Sequence, residues 1–268
     1  MDGYDKRLSV FIASPDSYSD VLSVFVECFQ KNCSDCPYEL ILATNTTQYD
    51  GARMIHNHKT NDTWAERAVP ALKQISTKYV LLMNDDIFIM QPVDYCALES
   101  VLDDMDAYGL NFCGLSNRLK GKKLHPTSRL VSVHKQTPYA INLQLGIFNR
   151  EYLLGLLGDG TLSGWDLERR WMQDALEAPD EYFADVASCN QKLISYVHAV
   201  AKGEWFPSAR KAVQEIGVEI KGQRKTMHCT EELNIKMIKK TGKLFSPCRR
   251  KQIKKMLSKF GFKFATES

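Results

Sequence analysis

Three short apolar runs punctuate the first third of the chain: residues 8–13 (LSVFIA), 39–43 (ELILA) and 78–83 (KYVLLM). Runs of this length, rich in β-branched and aromatic residues, predict strands buried on both faces. Each stops at polar residues: Ser14-Pro15-Asp16, Thr44-Asn45 and Asn84-Asp85-Asp86. Between the first two, residues 18–32 place Val21, Leu22, Val24, Phe25, Cys28 and Phe29 on one helical stripe. Residues 62–76 read as a second helix, capped by Asp62, with Glu66 in its first turn and Pro70 kinking it or marking a late start. Alternating strands and helices predict right-handed βαβ units on a parallel sheet. Ligands on such sheets bind beyond the carboxyl ends of the strands, so the three polar ends are expected to face one crevice.

The rest of the chain changes character. Residues 94–107 predict a helix and 109–115 a strand. Residues 116–137, basic from Arg118 through Lys120 to Lys135, read as a long loop or hairpin near the crevice. From Tyr139 to Phe148, Ile141, Leu143 and Leu145 alternate with Asn142, Gln144 and Gly146. That period of two predicts a half-exposed strand with an amide face. A short helix is expected over 150–157. Ser163-Gly164-Trp165-Asp166-Leu167-Glu168 opens another over 166–177.

At 268 residues, 44% hydrophobic and 25% charged, the chain has enough core to fold without disulfides, and intrinsic disorder is excluded. No apolar run approaches the ~18–20 residues of a membrane span. The N-terminus lacks a signal-peptide layout, so a soluble, non-secreted chain is expected. The net charge of +3 hides a split: residues 221–268 carry 14 Lys/Arg against 3 Glu, leaving 21 basic and 29 acidic residues before them. An acidic body with a basic arm implies an anionic partner for the arm. Of the eight cysteines, most sit singly in apolar runs, as reduced core thiols do. Cys33 and Cys36 form a CxxC, but His56 and His58 downstream are too closely spaced for the usual zinc pattern, and an ordinary cysteine-bearing loop fits better.

Two motifs carry candidate chemistry. Asp85 and Asp86 follow a buried strand directly. Adjacent carboxylates repel and favour a compensating cation; a hard divalent metal on phosphate oxygens supplies one and neutralises a departing diphosphate. A solvated turn is the plainer reading of the same residues. In Trp165-Asp166-Leu167-Glu168, the carboxylates fit a helix N-terminus through the macrodipole. Equally, one of them fits a general base, with the indole as a platform for a sugar ring.

In order, SPDSY, ATN, LLMNDDIF and WDLE resemble the landmarks of GT-A-fold glycosyltransferases, the nucleotide-sugar-dependent class, and most of all bacterial enzymes of surface polysaccharide synthesis. LLMNDDIF takes the place of the family's DXD motif, with Asn84 at its first position. The resemblance implies one α/β, Rossmann-like GT-A domain with a mostly parallel central sheet over residues 1–230, and a basic amphipathic tail over 231–268. It implies transfer of a sugar, from UDP by preference, to a saccharide or lipid-linked acceptor. It assigns Mn²⁺ or Mg²⁺ to Asp86 with His228 as a further ligand, and ribose or the same metal to Asn84 and Asp85. Ser14, Asp16, Thr44 and Asn45 line the nucleoside pocket. Asp166 becomes the base, implying inversion, and Glu168 holds the acceptor with Trp165, Asn142 and Gln144.

In the tail, Cys248–Ser258 predicts one helix with a Lys/Arg face and an apolar face, suited to an anionic bilayer. The expected location is cytoplasmic, peripheral at the inner face of the membrane. A nucleotidyltransferase shares the sheet and carboxylates, but it needs a glycine-rich phosphate loop that SPDSYSD lacks. No nucleic-acid-binding signature accompanies the basic arm, so nucleic acid is not an expected partner.

Overall fold

The structure, a computed structural model, describes residues 7–115, 119 and 121–242. Its centre is an eight-stranded sheet. The strands, in chain order, are β1 (Leu8–Ala13), β2 (Glu39–Thr44), β3 (Arg53–His56), β4 (Tyr79–Met83), β6 (Phe112–Gly114), β7 (Leu130–His134), β8 (Leu145–Asn149) and β9 (Tyr182–Cys189). The spatial order is β3-β2-β1-β4-β8-β6-β9-β7. The first four are mutually parallel, β8 runs against both β4 and β6, and β7 against β9. The expected α/β architecture with a mostly parallel central sheet is therefore present. Between β4 and β6, β5 (Ile87–Ile89) leaves this sheet and pairs antiparallel with β10 (Tyr196–His198). A small hairpin, β11 (Val200–Ala201) and β12 (Glu204–Trp205), follows.

Helices cover both faces. On one lie α1 (Ser19–Asn32) and α3 (Tyr95–Ala107), and on the other α2 (Trp64–Leu72) and α4 (Arg150–Leu157). The alternation of side chains along β1 serves both layers: Val10 and Ile12 pack under α1, Phe11 and Ala13 under α2. Each fully buried Leu, Ile or Phe contributes about 1.5–3 kcal/mol, which makes these unbroken apolar runs the framework of the molecule. The later helices are α5 (Gly164–Glu177), α6 (Pro207–Glu215) and α7 (Cys229–Gly242). Glu232 of α7 is buried and accepts the Ser208 amide at 3.0 Å, so α7 docks on the start of α6. No helix among the described residues is long and apolar enough to cross a membrane.

Two sequence expectations are corrected. Asp62 does not cap α2. Thr63 does, through a reciprocal capping box: Thr63 Oγ1 accepts the Glu66 amide at 3.1 Å, and Glu66 Oε2 accepts the Thr63 amide at 2.8 Å. Pro70 lies inside the helix, which stops two residues later. The strand expected from Tyr139 forms only at Leu145, because Tyr139 takes a positive φ of 57° and the segment to Gln144 turns. β3 is missed by periodicity because it is four residues long with one buried side chain. Within the basic stretch, Ser132 N donates to Lys122 O at 2.9 Å, folding the described part into a hairpin. Arg118, Lys120 and the helix expected over 248–258 lie outside the described residues.

Candidate active site

The ends of β1, β2 and β4 are knitted together by side chains. Asp16, in a 3-10 turn after β1, accepts the amides of Asn45, Thr46 and Thr47 at 3.0–3.2 Å. Burial pushes the Asp16 carboxyl up, but these bonds and that from the Thr46 hydroxyl outweigh it and hold it at about 2. Asn45 answers by accepting the Asp16 amide at 2.9 Å and donating to Asp62 Oδ1 at 2.9 Å. Thr44 is buried, its hydroxyl donating to Thr47 O at 2.8 Å and meeting His56 Nδ1 at 3.0 Å. These residues shape the crevice rather than present free groups to it.

Asp62 and Arg67 form an ion pair at 2.6 Å with both side chains at most 3% exposed. Burial raises the Asp62 carboxyl, yet bonds from Asn45, Asn57 and Arg67 bring it below the usual carboxylate range. Arg67 Nε is buried without a hydrogen-bond partner. Arg67 is one functional candidate that sequence reasoning missed; the available signal is a lone charge among Ala65, Ala68 and Ala71 on the inward face of α2.

Ser14 donates its hydroxyl to Asp85 Oδ2. Burial pushes the Asp85 carboxyl up to about 6, against the opposing pull of Ser14, Arg224 and Arg67. Arg224 is also absent from the sequence reading. It grips Asp20 through Nε at 2.8 Å and Nη2 at 2.7 Å, donates to Ser17 O and Gly203 O, and lies 4.3 Å above the Tyr18 ring. After Asp85 the chain turns, with Ile87 N on Asn84 O at 3.1 Å, and Asp86 O accepts the Ala199 amide at 2.8 Å.

A cleft of about 460 Å³ opens at this edge. Asn84, Asp85 and Asp86 line it, together with Tyr18 and Trp64, and Gln144, Trp165 and Glu168 complete it. Trp165 is 73% exposed, an indole face held open to solvent. Glu168 accepts the Leu143 amide at 2.9 Å through Oε1; burial raises its carboxyl above the usual range. Its other oxygen has no protein partner among the described residues.

Seven assigned residues do not line this cleft: Ser14, Asp16, Thr44 and Asn45 lie at the knitted strand ends, and Asp166, Asn142 and His228 lie elsewhere. Asp166 Oδ2 accepts the Ser163 hydroxyl at 2.5 Å and Oδ1 pairs with Arg169, and these partners depress its carboxyl. The sequence expectation makes Asp166 the base; the structure places its carboxylate on the helix cap and a cation, outside the cleft lining. Asn142, expected on the acceptor wall, is 2% exposed, and its amide bonds Tyr139 O and Gln144 N within its own loop. His228 is exposed at the start of α7, with Nδ1 on the Thr230 hydroxyl at 2.8 Å.

The fold is similar to those of several solved structures, each at 14% identity or less. It is similar to S. aureus TarS with a TM-score of 0.47 and 13% identity, over 78% of this chain and 38% of that one. It is similar to the mannosyltransferase PcManGT from Pyrobaculum calidifontis, solved with GDP-Man and Mn²⁺, with a TM-score of 0.47 and 14% identity, over 75% and 59% of the two chains. Likeness to the galactosyltransferase LgtC has a TM-score of 0.36 and 12% identity over 75% of this chain and 76% of that one. This chain thus spans well under two thirds of TarS and of PcManGT. No family model matches it, and no curated protein sequence does.

Among the described residues no three His, Cys, Asp or Glu side chains cluster as a ready metal cage. The donor set of Asp85 and Asp86 nevertheless fits Mg²⁺ or Mn²⁺. Such ions are held by one or two carboxylates and take their remaining oxygens from phosphates and water. A desolvated carboxyl near pH 6, as Asp85 is, gains most from an arriving cation.

Proposed function

We propose that this chain is a glycosyltransferase that moves a sugar from a nucleoside diphosphate, UDP by preference, to a saccharide or lipid-linked acceptor. The observation that carries the reading is that Asp85 and Asp86 share one cleft with a desolvated Glu168 and an exposed Trp165. In this reading the nucleoside lies toward Tyr18 and the knitted strand ends, and the diphosphate toward Asp86. A divalent cation bound by Asp86 and Asp85 supplies charge neutralisation for the leaving diphosphate.

Glu168, rather than Asp166, is the base. Burial raises its carboxyl above the usual range, which makes it a better proton acceptor, and its place in the cleft puts it within reach of an acceptor hydroxyl. Leu143 N–H fixes the carboxylate from behind. Trp165 offers a flat apolar surface to the C–H face of a pyranose, and Gln144 both donates to and accepts from sugar hydroxyls. Direct displacement assisted by a single base corresponds to inversion. The basic tail places the enzyme on the cytoplasmic face of an anionic membrane, in the synthesis of a surface polysaccharide.

Isothermal titration with UDP, GDP and their sugars, with and without Mn²⁺, tests the reading. Binding of at least one nucleotide that strengthens with Mn²⁺ and weakens in Asp86→Ala is expected. Absence of binding to every nucleotide sugar sinks it.

A further inference from the structure

A second cavity lies behind α5. It measures about 300 Å³ and is walled by Tyr139, Ile141, Leu156, Trp171, Ala175 and Phe183. This space and the cleft share both of their walls. Residues Tyr139 to Ile141 bound the cavity, and Leu143 and Gln144, on the same loop, bound the cleft. On α5, Glu168 belongs to the cleft and Trp171 to the cavity. These two are three residues apart, neighbours on one helical face. Tyr139 lines the cavity side of that loop. It is held at a positive φ of 57°, which a bulky residue rarely adopts, and its hydroxyl feels the charge of Glu168.

The walls indicate what the cavity takes. Three aromatic rings and two aliphatic side chains dominate, and the single basic residue of the lining, Lys135, is already paired with Glu181. Small-molecule sites have this size and this apolar balance. A phosphate would find no uncommitted cation among the lining residues. A hydrocarbon would find complementary surface. Helix α5, which lines both spaces, buries only Leu167.

We propose that this cavity is an aglycone subsite: it receives the uncharged apolar group attached to the acceptor sugar while that sugar lies over Trp165 beside Glu168. The inference rests on the transferase reading and narrows it to acceptors with an apolar aglycone next to the sugar.

The test uses the full chain and a series of methyl, butyl, hexyl and octyl β-D-glucopyranosides below their micelle concentrations, titrated calorimetrically without nucleotide. Affinity should rise about three- to fourfold per methylene from methyl to hexyl, then level off as the cavity fills. Ala175→Trp, which plugs the cavity from the half-buried flank of α5, should abolish that gain and leave nucleotide affinity unchanged. Trp171→Ala should weaken it at least fivefold. Equal affinity along the series, or a gain that both variants leave intact, overturns the inference. So does a gain seen only when Phe260, Phe262 and Phe264 are all changed to Ser, since the occupant would then be the chain's own tail. Nucleotide-sugar binding is scored separately: its absence overturns the transferase reading, whereas its presence with a flat glycoside series overturns the aglycone subsite alone.

Discussion

Ser14 at the end of β1 donates its hydroxyl to the carboxylate of Asp85 at the end of β4, although 71 positions separate them in the chain. The bond crosses from one parallel strand to its neighbour and fixes the first acidic residue of the cleft before any ligand arrives.

Asp85 is the residue most out of place for stability alone. Its folded-state acidity lies at about 6, above the ordinary value of 3.8, so the folded chain binds the extra proton. Stability from this group is fully present below about pH 4 and is lost as pH rises through 6. Asp85→Asn, which keeps an acceptor for Ser14, should stabilise the ligand-free chain at pH 7.5 by on the order of 1 kcal/mol after allowance for solvent. Thermal melts should therefore move up by about 2–4 °C and lose their slope between pH 4 and 6. Sugar transfer should fall sharply in the same protein. An unchanged or lowered melting temperature would contradict the assignment.

Glu168→Gln retains an oxygen for the Leu143 amide and removes the proton acceptor. Its kcat should drop by about 10²–10⁴-fold with nucleotide affinity unaltered. Asp166→Asn should stay within about threefold of the parent, since Ser163 and Arg169 occupy its carboxylate. Because burial raises Glu168, the acid limb of the rate profile should sit above the usual carboxylate range and vanish in Glu168→Gln. Reversed sensitivities of the two variants would return the role to Asp166.

The pair Asp62–Arg67 is a structural commitment at the crevice. Asp62→Ala leaves a buried guanidinium without its anion, a change that costs about 3–5 kcal/mol. Denaturant titration should show that loss. The Asp62 and Asp16 carboxyls are both held below the usual carboxylate range, so the stability they give is present above about pH 4 and is lost as pH falls, for Asp16 through about 2. Acid unfolding of Asp16→Asn should accordingly be shallower than that of the parent below pH 4.

Flotation with liposomes checks the basic tail. Each Lys or Arg near the surface adds about 1 kcal/mol on anionic lipid, and the attraction falls with salt. The chain should float with phosphatidylserine vesicles at low salt and remain at the bottom with neutral ones. Equal recovery from both would remove the membrane assignment.

The buried strands were plain in the sequence because a strand covered on both faces is apolar without interruption, as in β1 and β4. Helix α4 was equally plain, since Asn149 and Gly158 bracket its apolar stripe. The Asn84-Asp85-Asp86 edge, Trp165 and Glu168 were legible as chemistry because charged or aromatic residues broke a pattern there. Arg67 and Arg224 were not. Arg224 takes its meaning from Asp20, 204 positions away, of which periodicity carries no record; Arg67 left only the trace of a lone charge on the inward face of α2. Asn142 misled for the opposite reason: the alternation around it was real, but the positive φ at Tyr139 turned it into a loop. Asp166 and Glu168 sit two residues apart in one helical turn, and only the direction of each side chain separates a capping contact from a place in the cleft.

The Arg224 clasp has a consequence for how the molecule is made. The guanidinium binds Asp20 and Ser17 across more than two hundred residues of chain. On the ribosome, β1, β2 and β4 are therefore available to pair before this clasp can close, and Tyr18 gains the guanidinium over its ring only after residue 224 has been added.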